Sequence, residues 1–166
     1  MQTGVRNFFA NLGYPTTIVN QLLQGKIGLA LQDTGRLVIN TIAGVGGLID
    51  AASIGGLPAN EEDFGQTLAV WGVPSGPYVN LPLFGPSSLR DAPSRIADYI
   101  TGVPRYVDVQ WEAEWSARAL EVVGFRADLL PVEAQIANVF DRYAFMRDAW
   151  VQRREYMIFD GSPPEP

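Results

Sequence analysis

Apolar residues recur along this chain at helical spacing far more than at strand spacing. Val5, Phe8, Phe9 and Leu12 share one helical face, closed by Gly13 and then Pro15. Ile18, Val19, Leu22 and Leu23 share a second, stopped at Gly25. Ile27, Ala30, Leu31, Thr34, Leu37, Val38, Thr41 and Ile42 keep the period over four turns, after which AGVGGLIDAASIGGL breaks it with glycines. Asn60 followed by Glu61, Glu62 and Asp63 predicts an N-cap and an acidic first turn. That helix runs through Phe64 and Leu68 to Trp71 and stops at Gly72. Pro93 suits the first turn of a helix through Ile100, capped by Gly102. Asp108 opens another, with Trp111 and Trp115 one turn apart and Gly124 at its end. The last and longest begins near Pro131, with Ile136, Val139, Phe140, Tyr143 and Trp150 on one side. The expectation is an all-α chain, one domain over residues 1–159, with DGSPPEP (160–166) as a flexible tail.

One segment refuses the pattern. GVPSGPYVNLPLFGPSSLRD (72–91) carries Pro74, Pro77, Pro82 and Pro86, which no helix and no central strand tolerates together. Yet Tyr78, Val79, Leu81, Leu83 and Phe84 are too apolar for an ordinary solvent loop. A short hairpin arm within YVNLPLF is the most that its weak alternation supports.

Composition narrows the chemistry. The 166 residues suit one domain, and charged residues make up 18%, below the usual ~25%. A net charge of −6 argues against nucleic acid and against attraction to an anionic membrane by bulk charge. The absence of Cys and His removes disulfides, thiolate nucleophiles, Ser-His-Asp triads and His/Cys zinc sites, so no cofactor or metal is expected. A hydrolase would need Ser87 or Ser88 as nucleophile without histidine. No signal peptide is visible, and the most apolar run, Leu37 to Leu57, is interrupted by glycines, Asn40, Asp50 and Ser53.

Within that run Gly44, Gly46 and Gly47 fail the dinucleotide fingerprint and suit either close helix approach or a re-entrant turn. Asp50, a carboxylate in apolar surroundings, must face water, cap a helix or meet an arginine, whether as a structural cap or along a polar conduit. Glu61, Glu62 and Asp63 read as a first-turn charge run, and Arg147, Asp148, Arg153 and Arg154 as a solvated face. Trp71, Trp111, Trp115 and Trp150 suit either a core or an interfacial belt.

Three blocks, RLVINTIAGVGGLIDAAS (36–53), EDFGQTLAVWGVPSGPYVNLPLFGPSSLRD (62–91) and DRYAFMRDAWVQRREY (141–156), together resemble the MlaA family, also called VacJ. These are outer-membrane lipoproteins of Gram-negative bacteria that help remove misplaced phospholipid from the outer leaflet. The resemblance implies a ring- or horseshoe-like helical domain lying largely in the inner leaflet beside trimeric porins. It also implies a polar channel that passes phospholipid headgroups toward a periplasmic lipid carrier, and no enzymatic activity. By the same resemblance the segment matching 72–85 is a hairpin-like element beside the channel, with Gly72, Pro74, Gly76, Pro77 and Tyr78 as its candidate residues. Asn40, Asp50, Arg90 and Asp91 are candidates for channel lining or support. Arg118, between Trp115 and Val122, is a candidate for attracting phosphate or simply a surface arginine. Irregular backbone at membrane depth is tolerated only where it is buried in protein or lines a wet cavity, which suits the proline-rich segment. Two departures stand out. The family's lipoprotein signal, lipidated cysteine and early DP-EG-NR-like stretch are not seen, so the chain is expected to be truncated. Pro74 also replaces the second glycine of a common Gly-x-Gly. The alternative is a helical scaffold docking porin and carrier without conducting lipid.

Overall fold

The computed structural model describes residues 2–82, 85–102, 123 and 140–164. The described residues form six helices and one hairpin: α1 (Gln2–Leu23), α2 (Ile27–Ile42), α3 (Ala51–Ile54), α4 (Phe64–Val70), β1 (Tyr78–Leu81), β2 (Gly85–Ser88), α5 (Asp91–Thr101) and α6 (Arg142–Ile158). The fold is mainly α, as expected from the periodicity.

The two opening helices of the sequence reading are one. α1 runs through Pro15 without a break. Proline removes one helical donor and crowds the preceding turn, a cost of about 3 kcal/mol in an isolated helix. Here α2 grips α1 on both sides of the proline. Asn11 Nδ2 donates to Thr41 Oγ1 (3.1 Å), Arg36 Nε to the Tyr14 hydroxyl (2.6 Å) and Gln21 Nε2 to Asp33 Oδ2 (2.6 Å). The order of these contacts makes the helices antiparallel. Lys26 N–H bonds to Gln21 O and Gly25 N–H to Leu22 O, the paired C-terminal bonds that close a Schellman turn between them.

The glycine run after α2 is a close-approach device. A Cβ on Gly47 would strike Asn11 of α1, and one on Gly44 would strike the Asn40 and Ile49 carbonyls. The acidic run lies just before its helix: the N-cap is Asp63, whose side chain accepts from Gln66 N–H (2.9 Å), three residues later than Asn60. Asn60 instead donates to Asp33 Oδ2 (3.1 Å). α5 starts at Asp91, two residues ahead of Pro93, and ends at Gly102 as expected. The last helix does not run unbroken from Pro131. Phe140 sits in a bend, and Asp141 caps a fresh start by accepting from Ala144 N–H (2.9 Å). The helix expected from Asp108 to Gly124, with Trp111 and Trp115, lies outside the described residues apart from the helical Val123.

The hairpin is real. β1 and β2 pair antiparallel with Tyr78 opposite Ser88 and Leu81 opposite Gly85, and Pro82 sits in the connecting turn. The return strand, GPSS, has poor strand propensity; it is fixed because Ser87 and Ser88 are fully buried and β2 packs on α5 and α6.

Burial runs opposite to the usual sense. Among the described residues the largest fully buried side chains are Arg36, Gln21, Gln66, Asn20, Thr67, Asp33, Ser87 and Ser88, while Tyr14, Ala30 and Ala52 are the buried apolar ones. Ile42 and Ile54 are 78% and 81% exposed. On α2 the exposed Ile27, Leu31, Val38 and Ile42 lie half a turn away from the buried Ala30, Asp33, Arg36 and Asn40. On α1 Val5, Phe8, Leu22 and Leu23 are exposed, whereas Asn11, Tyr14, Asn20 and Gln21 are buried. No described helix is long and apolar enough to cross a membrane.

Candidate functional site

Two hydrogen-bonded clusters fill the polar interior. The first is centred on Arg36, 1% exposed. Its Nε donates to the Tyr14 hydroxyl, its Nη1 to the Leu57 carbonyl, and its Nη2 to both Asp50 oxygens (3.0 and 3.1 Å) and to Ser53 Oγ (3.0 Å). Its guanidinium also lies 5.5 Å from the centre of the Tyr14 ring. Asp50 caps α3 by accepting from Ser53 N–H (3.1 Å) and receives Asn40 Nδ2 (3.0 Å), while Asn40 Oδ1 accepts from Ala52 N–H (2.9 Å). Burial alone would raise the Asp50 pKa, but hydrogen bonds from Ser53 and Asn40 and the charge of Arg36 outweigh it and hold the carboxyl below its usual range. Asp50 therefore both caps a helix and meets an arginine, the outcome its isolation demanded.

The second cluster ties the hairpin region to α4 and α6. Arg154 is buried and not part of a solvated face: it forks onto Asp63, with Nη1 on Oδ2 and Nη2 on Oδ1 (both 2.6 Å), and its Nε lies 2.9 Å from Asp91 Oδ2. Arg90 Nε donates to Asp91 Oδ1 (2.7 Å), and Arg90 Nη1 donates to the Val73 carbonyl (3.2 Å). Asp91 N–H donates to Ser88 Oγ (3.1 Å). Burial would raise the Asp63 pKa, yet the hydrogen bonds and charge of Arg154 hold it below the carboxylate range. Gly65 makes the approach possible, since a Cβ there would collide with the Arg154 guanidinium and the Asp91 carboxylate. The acidic run is thus not a uniform solvated stretch. Asp63 serves Arg154, and the buried Glu62 accepts from Lys26 Nζ (2.8 Å), which also reaches Asp160 (2.6 Å).

Of the predicted hairpin residues, Gly72, Pro74, Gly76 and Pro77 lie in the loop before β1, and Tyr78 opens β1 itself. Gly72, at φ +89°, closes α4 with the paired bonds Gly72 N–H to Ala69 O and Val73 N–H to Leu68 O. The loop is stapled to the far side of the hairpin by Leu89 N–H to Pro77 O (3.0 Å) and Arg90 N–H to Ser75 O (3.2 Å). Gly76, at φ +67°, has Leu89 Cβ 3.2 Å from where its own Cβ would stand. Pro74 and Pro77 are exposed, and Tyr78 packs edge-on against Tyr143 and Trp150 of α6, both centroids at 5.7 Å. Arg90 and Asp91 sit together beneath this loop, whereas Asn40 and Asp50 belong to the Arg36 cluster. Arg118 lies outside the described residues.

A cavity of about 140 Å³ opens beside the second cluster, lined by Asp63, Ser87, Asp91, Ser94, Arg95, Asp98, Trp150 and Arg154. Asp98 Oδ1 accepts from Asn20 Nδ2 (3.0 Å) and Phe64 N–H (2.9 Å). Burial pushes its carboxyl up to about 6, against those two hydrogen bonds. The folded value lies above the unfolded one, so Asp98 costs stability once pH rises through about 6. The Asp98→Asn substitution keeps the acceptor and removes the charge. It is expected to stabilise the fold by about 1 kcal/mol at pH 7.5, discounted because the carboxyl is only partly buried, and by nothing below pH 4. Urea midpoints across pH measure this, and a gain that does not depend on pH would contradict it.

A second cavity, of about 310 Å³, is lined by α1 residues including Tyr14 and Thr17 and by the segment Ala59 to Asp63. Neither Ser87 nor Ser88 has a basic side chain hydrogen-bonded to its hydroxyl among the described residues. The sequence reading singles out none of Arg36, Gln21, Asp33, Gln66, Thr67 and Asp98, and it places the buried Arg154 on a solvated face. Their signal was a polar stripe at helical spacing, as in Asp33, Arg36 and Asn40 or Asp91, Ser94 and Asp98.

The model of the MlaA lipoprotein family matches residues 1–157. The intermembrane phospholipid transport system lipoproteins MlaA of Shigella flexneri and of Escherichia coli (strain K12) are each 33% identical over 163 residues, 96% of this chain and 64% of the relative. An uncharacterized protein of Rickettsia bellii (strain RML369-C) is 34% identical over 159 residues, 95% of this chain and 62% of its own length. This chain therefore spans somewhat under two thirds of these relatives. A solved structure, described as a structural basis for maintenance of bacterial outer membrane lipid asymmetry, matches with a TM-score of 0.80 and 33% identity over 94% of this chain and 79% of that one.

Proposed function

The chain belongs to the MlaA lipoprotein family, and from that premise we propose that it serves in intermembrane phospholipid transport and in keeping the outer membrane asymmetric. It carries no enzymatic step. It lies in the periplasmic leaflet of the outer membrane beside a trimeric porin, takes phospholipid from the outer leaflet and passes it to a periplasmic carrier. One observation supports this above the others: apolar side chains such as Leu31, Ile42 and Ile54 stand outward while Arg36, Gln66 and Asp33 are enclosed. An exterior of this kind suits lipid tails, and an interior of this kind suits a polar headgroup. Moving an amphiphile needs both and needs no nucleophile.

In this reading the loop at 72–77 and the hairpin border the headgroup path, and Gly76 is a pivot. A Gly76→Val substitution meets both a left-handed backbone and Leu89, at a local cost of about 1–2 kcal/mol. In the full-length protein it is expected to alter outer-leaflet phospholipid content and permeability while expression stays normal. Unaltered permeability at full expression would count against the pivot. Photo-crosslinkers at Tyr78 and Trp71 separate a conduit from a docking scaffold: captured lipid supports the conduit, and protein partners alone support the scaffold.

A further inference from the structure

The larger cavity, of about 310 Å³, lies among α1, the segment before α4, the first turn of α4 and Met157 near the end of α6. It has room for a small organic group as well as water. Its polar wall is rich in acceptors. Gln66 lines it with a fully buried side chain, and Gln66 Oε1 has no hydrogen-bond partner. The amide cannot be turned round to relieve this, because its Nε2 donates to the Glu61 carbonyl (3.0 Å), a group that only accepts. A buried acceptor left in that state calls for a donor from a ligand or a water. Asn60 Nδ2, in the same wall, is directed to Asp33 Oδ2 (3.1 Å).

The charge of the wall points the same way. Glu61, Glu62 and Asp63 all line the cavity. Glu62 is paired with Lys26 and Asp63 with Arg154, and neither of those cations is among the described lining residues. The Glu61 side chain is exposed, and its carboxylate makes no ion pair or hydrogen bond among the described residues. An anion entering here meets an uncompensated negative charge, whereas a cation gains from it. Among the described residues no group of three or more Asp, Glu, His or Cys could hold a metal ion, so the cation that fits is an organic one.

We infer that this cavity is a subsite for a primary ammonium group carried by an aminophospholipid headgroup, with Gln66 Oε1 accepting one N–H and the Glu61 carboxylate supplying the charge. A quaternary ammonium has the same charge but no N–H to give, so it leaves Gln66 Oε1 unpaired. An anionic glycerol headgroup has donors, but it brings its negative charge against Glu61. The hydroxyl of the buried Thr17, in the same wall, is a further acceptor within the cavity. The inference rests on the phospholipid-transport reading and adds to it a preference among headgroups.

The test is calorimetric binding to the full-length protein in detergent. The probes are dihexanoyl phosphatidylethanolamine, phosphatidylcholine and phosphatidylglycerol, together with free ethanolamine. The ethanolamine and choline lipids share the same net charge, so the difference between them isolates N–H donation. Expected is a roughly tenfold preference for the ethanolamine lipid over the choline lipid at pH 7.5, the size of one charge-assisted hydrogen bond. Gln66→Met, which keeps the length of the side chain and loses the acceptor, should abolish that preference. Glu61→Gln, at an exposed position, should weaken the ethanolamine and choline lipids alike, by about threefold, and leave their ratio unchanged. Thermal melts check that each variant is folded; if Gln66→Met is not, the wild-type comparison and Glu61→Gln decide the matter. Equal wild-type affinity for the ethanolamine and choline lipids, an unchanged preference in folded Gln66→Met, or full affinity in Glu61→Gln overturns the subsite and leaves the transport reading standing. Free ethanolamine binding as tightly as the lipid overturns the lipid assignment. If none of the lipids binds the folded protein, the transport reading falls and takes the subsite with it.

Discussion

Arg154→Met is expected to be the most destabilising single substitution in the described structure, at about 3–5 kcal/mol near neutral pH. The size comes from what is left behind. Removing the guanidinium strands two carboxylates, Asp63 and Asp91, that gave up much of their hydration to face a cation between them. Arg90 continues to serve Asp91, so the larger residual cost falls on Asp63, moderated by its partial contact with water. The pH dependence separates this mechanism from simple loss of packing. Asp63 has a folded pKa below its unfolded one, so its pairing stabilises the protein above the unfolded carboxylate pKa and is lost as pH falls through the folded value. Wild-type and Arg154→Met urea curves should accordingly converge in acid. Adding Asp63→Asn should recover part of the loss at neutral pH. A defect of the same size at pH 3 and pH 7 would refute the charge explanation.

The second large effect concerns the outward face. Ile42→Asp with Ile54→Asp should leave the fold intact, because both side chains are mostly exposed and touch little of the interior. Membrane association should fall on the order of a hundredfold or more, since a charged residue placed in hydrocarbon costs about 2.5–3.5 kcal/mol at the bilayer centre and less near the interface. The chain has no cysteine, so a single Cys introduced at 42 or 54 can carry a nitroxide. Collision with oxygen rather than with a water-soluble nickel chelate would place that position among the lipid tails. A label that sees only the aqueous relaxer, in full-length protein reconstituted with its membrane, would refute the outward apolar face as a lipid contact.

Much of the local structure was legible because it depends on neighbours in sequence. α2 follows directly from its period, Gly102 ends α5, and the proline spacing of 72–91 excludes all but a small hairpin. Asp50 was legible for an energetic reason: a lone carboxylate in that stretch had to find a cap or an arginine, and it found both. What periodicity could not reveal was its own sense. An amphipathic pattern states that a helix has two faces, and it is silent about which one meets the surroundings. The apolar face that carries Val5 and Phe8 turns outward, and Arg154, read as part of a solvated face, is buried. The remaining misses are matters of distance along the chain. Arg154 meets Asp63 across 91 residues, and no local signal ties them. Pro15 misled for a related reason, since the grip that carries α1 past it comes from α2.

Lys26 is the one lysine of this chain, and it is clamped by Glu62 and by Asp160, 134 residues further on. Burial would lower its pKa, but the hydrogen bonds from its ammonium to Asp160 and Glu62 outweigh that and raise it, so little free amine is present at neutral pH. An acylating reagent therefore has a single side-chain target whose reactivity is throttled for as long as the tail stays fastened to the first inter-helix turn. The chain carries an intrinsic chemical clock: the pace at which that nitrogen is tagged measures how often Asp160 and Glu62 let go of the turn between α1 and α2.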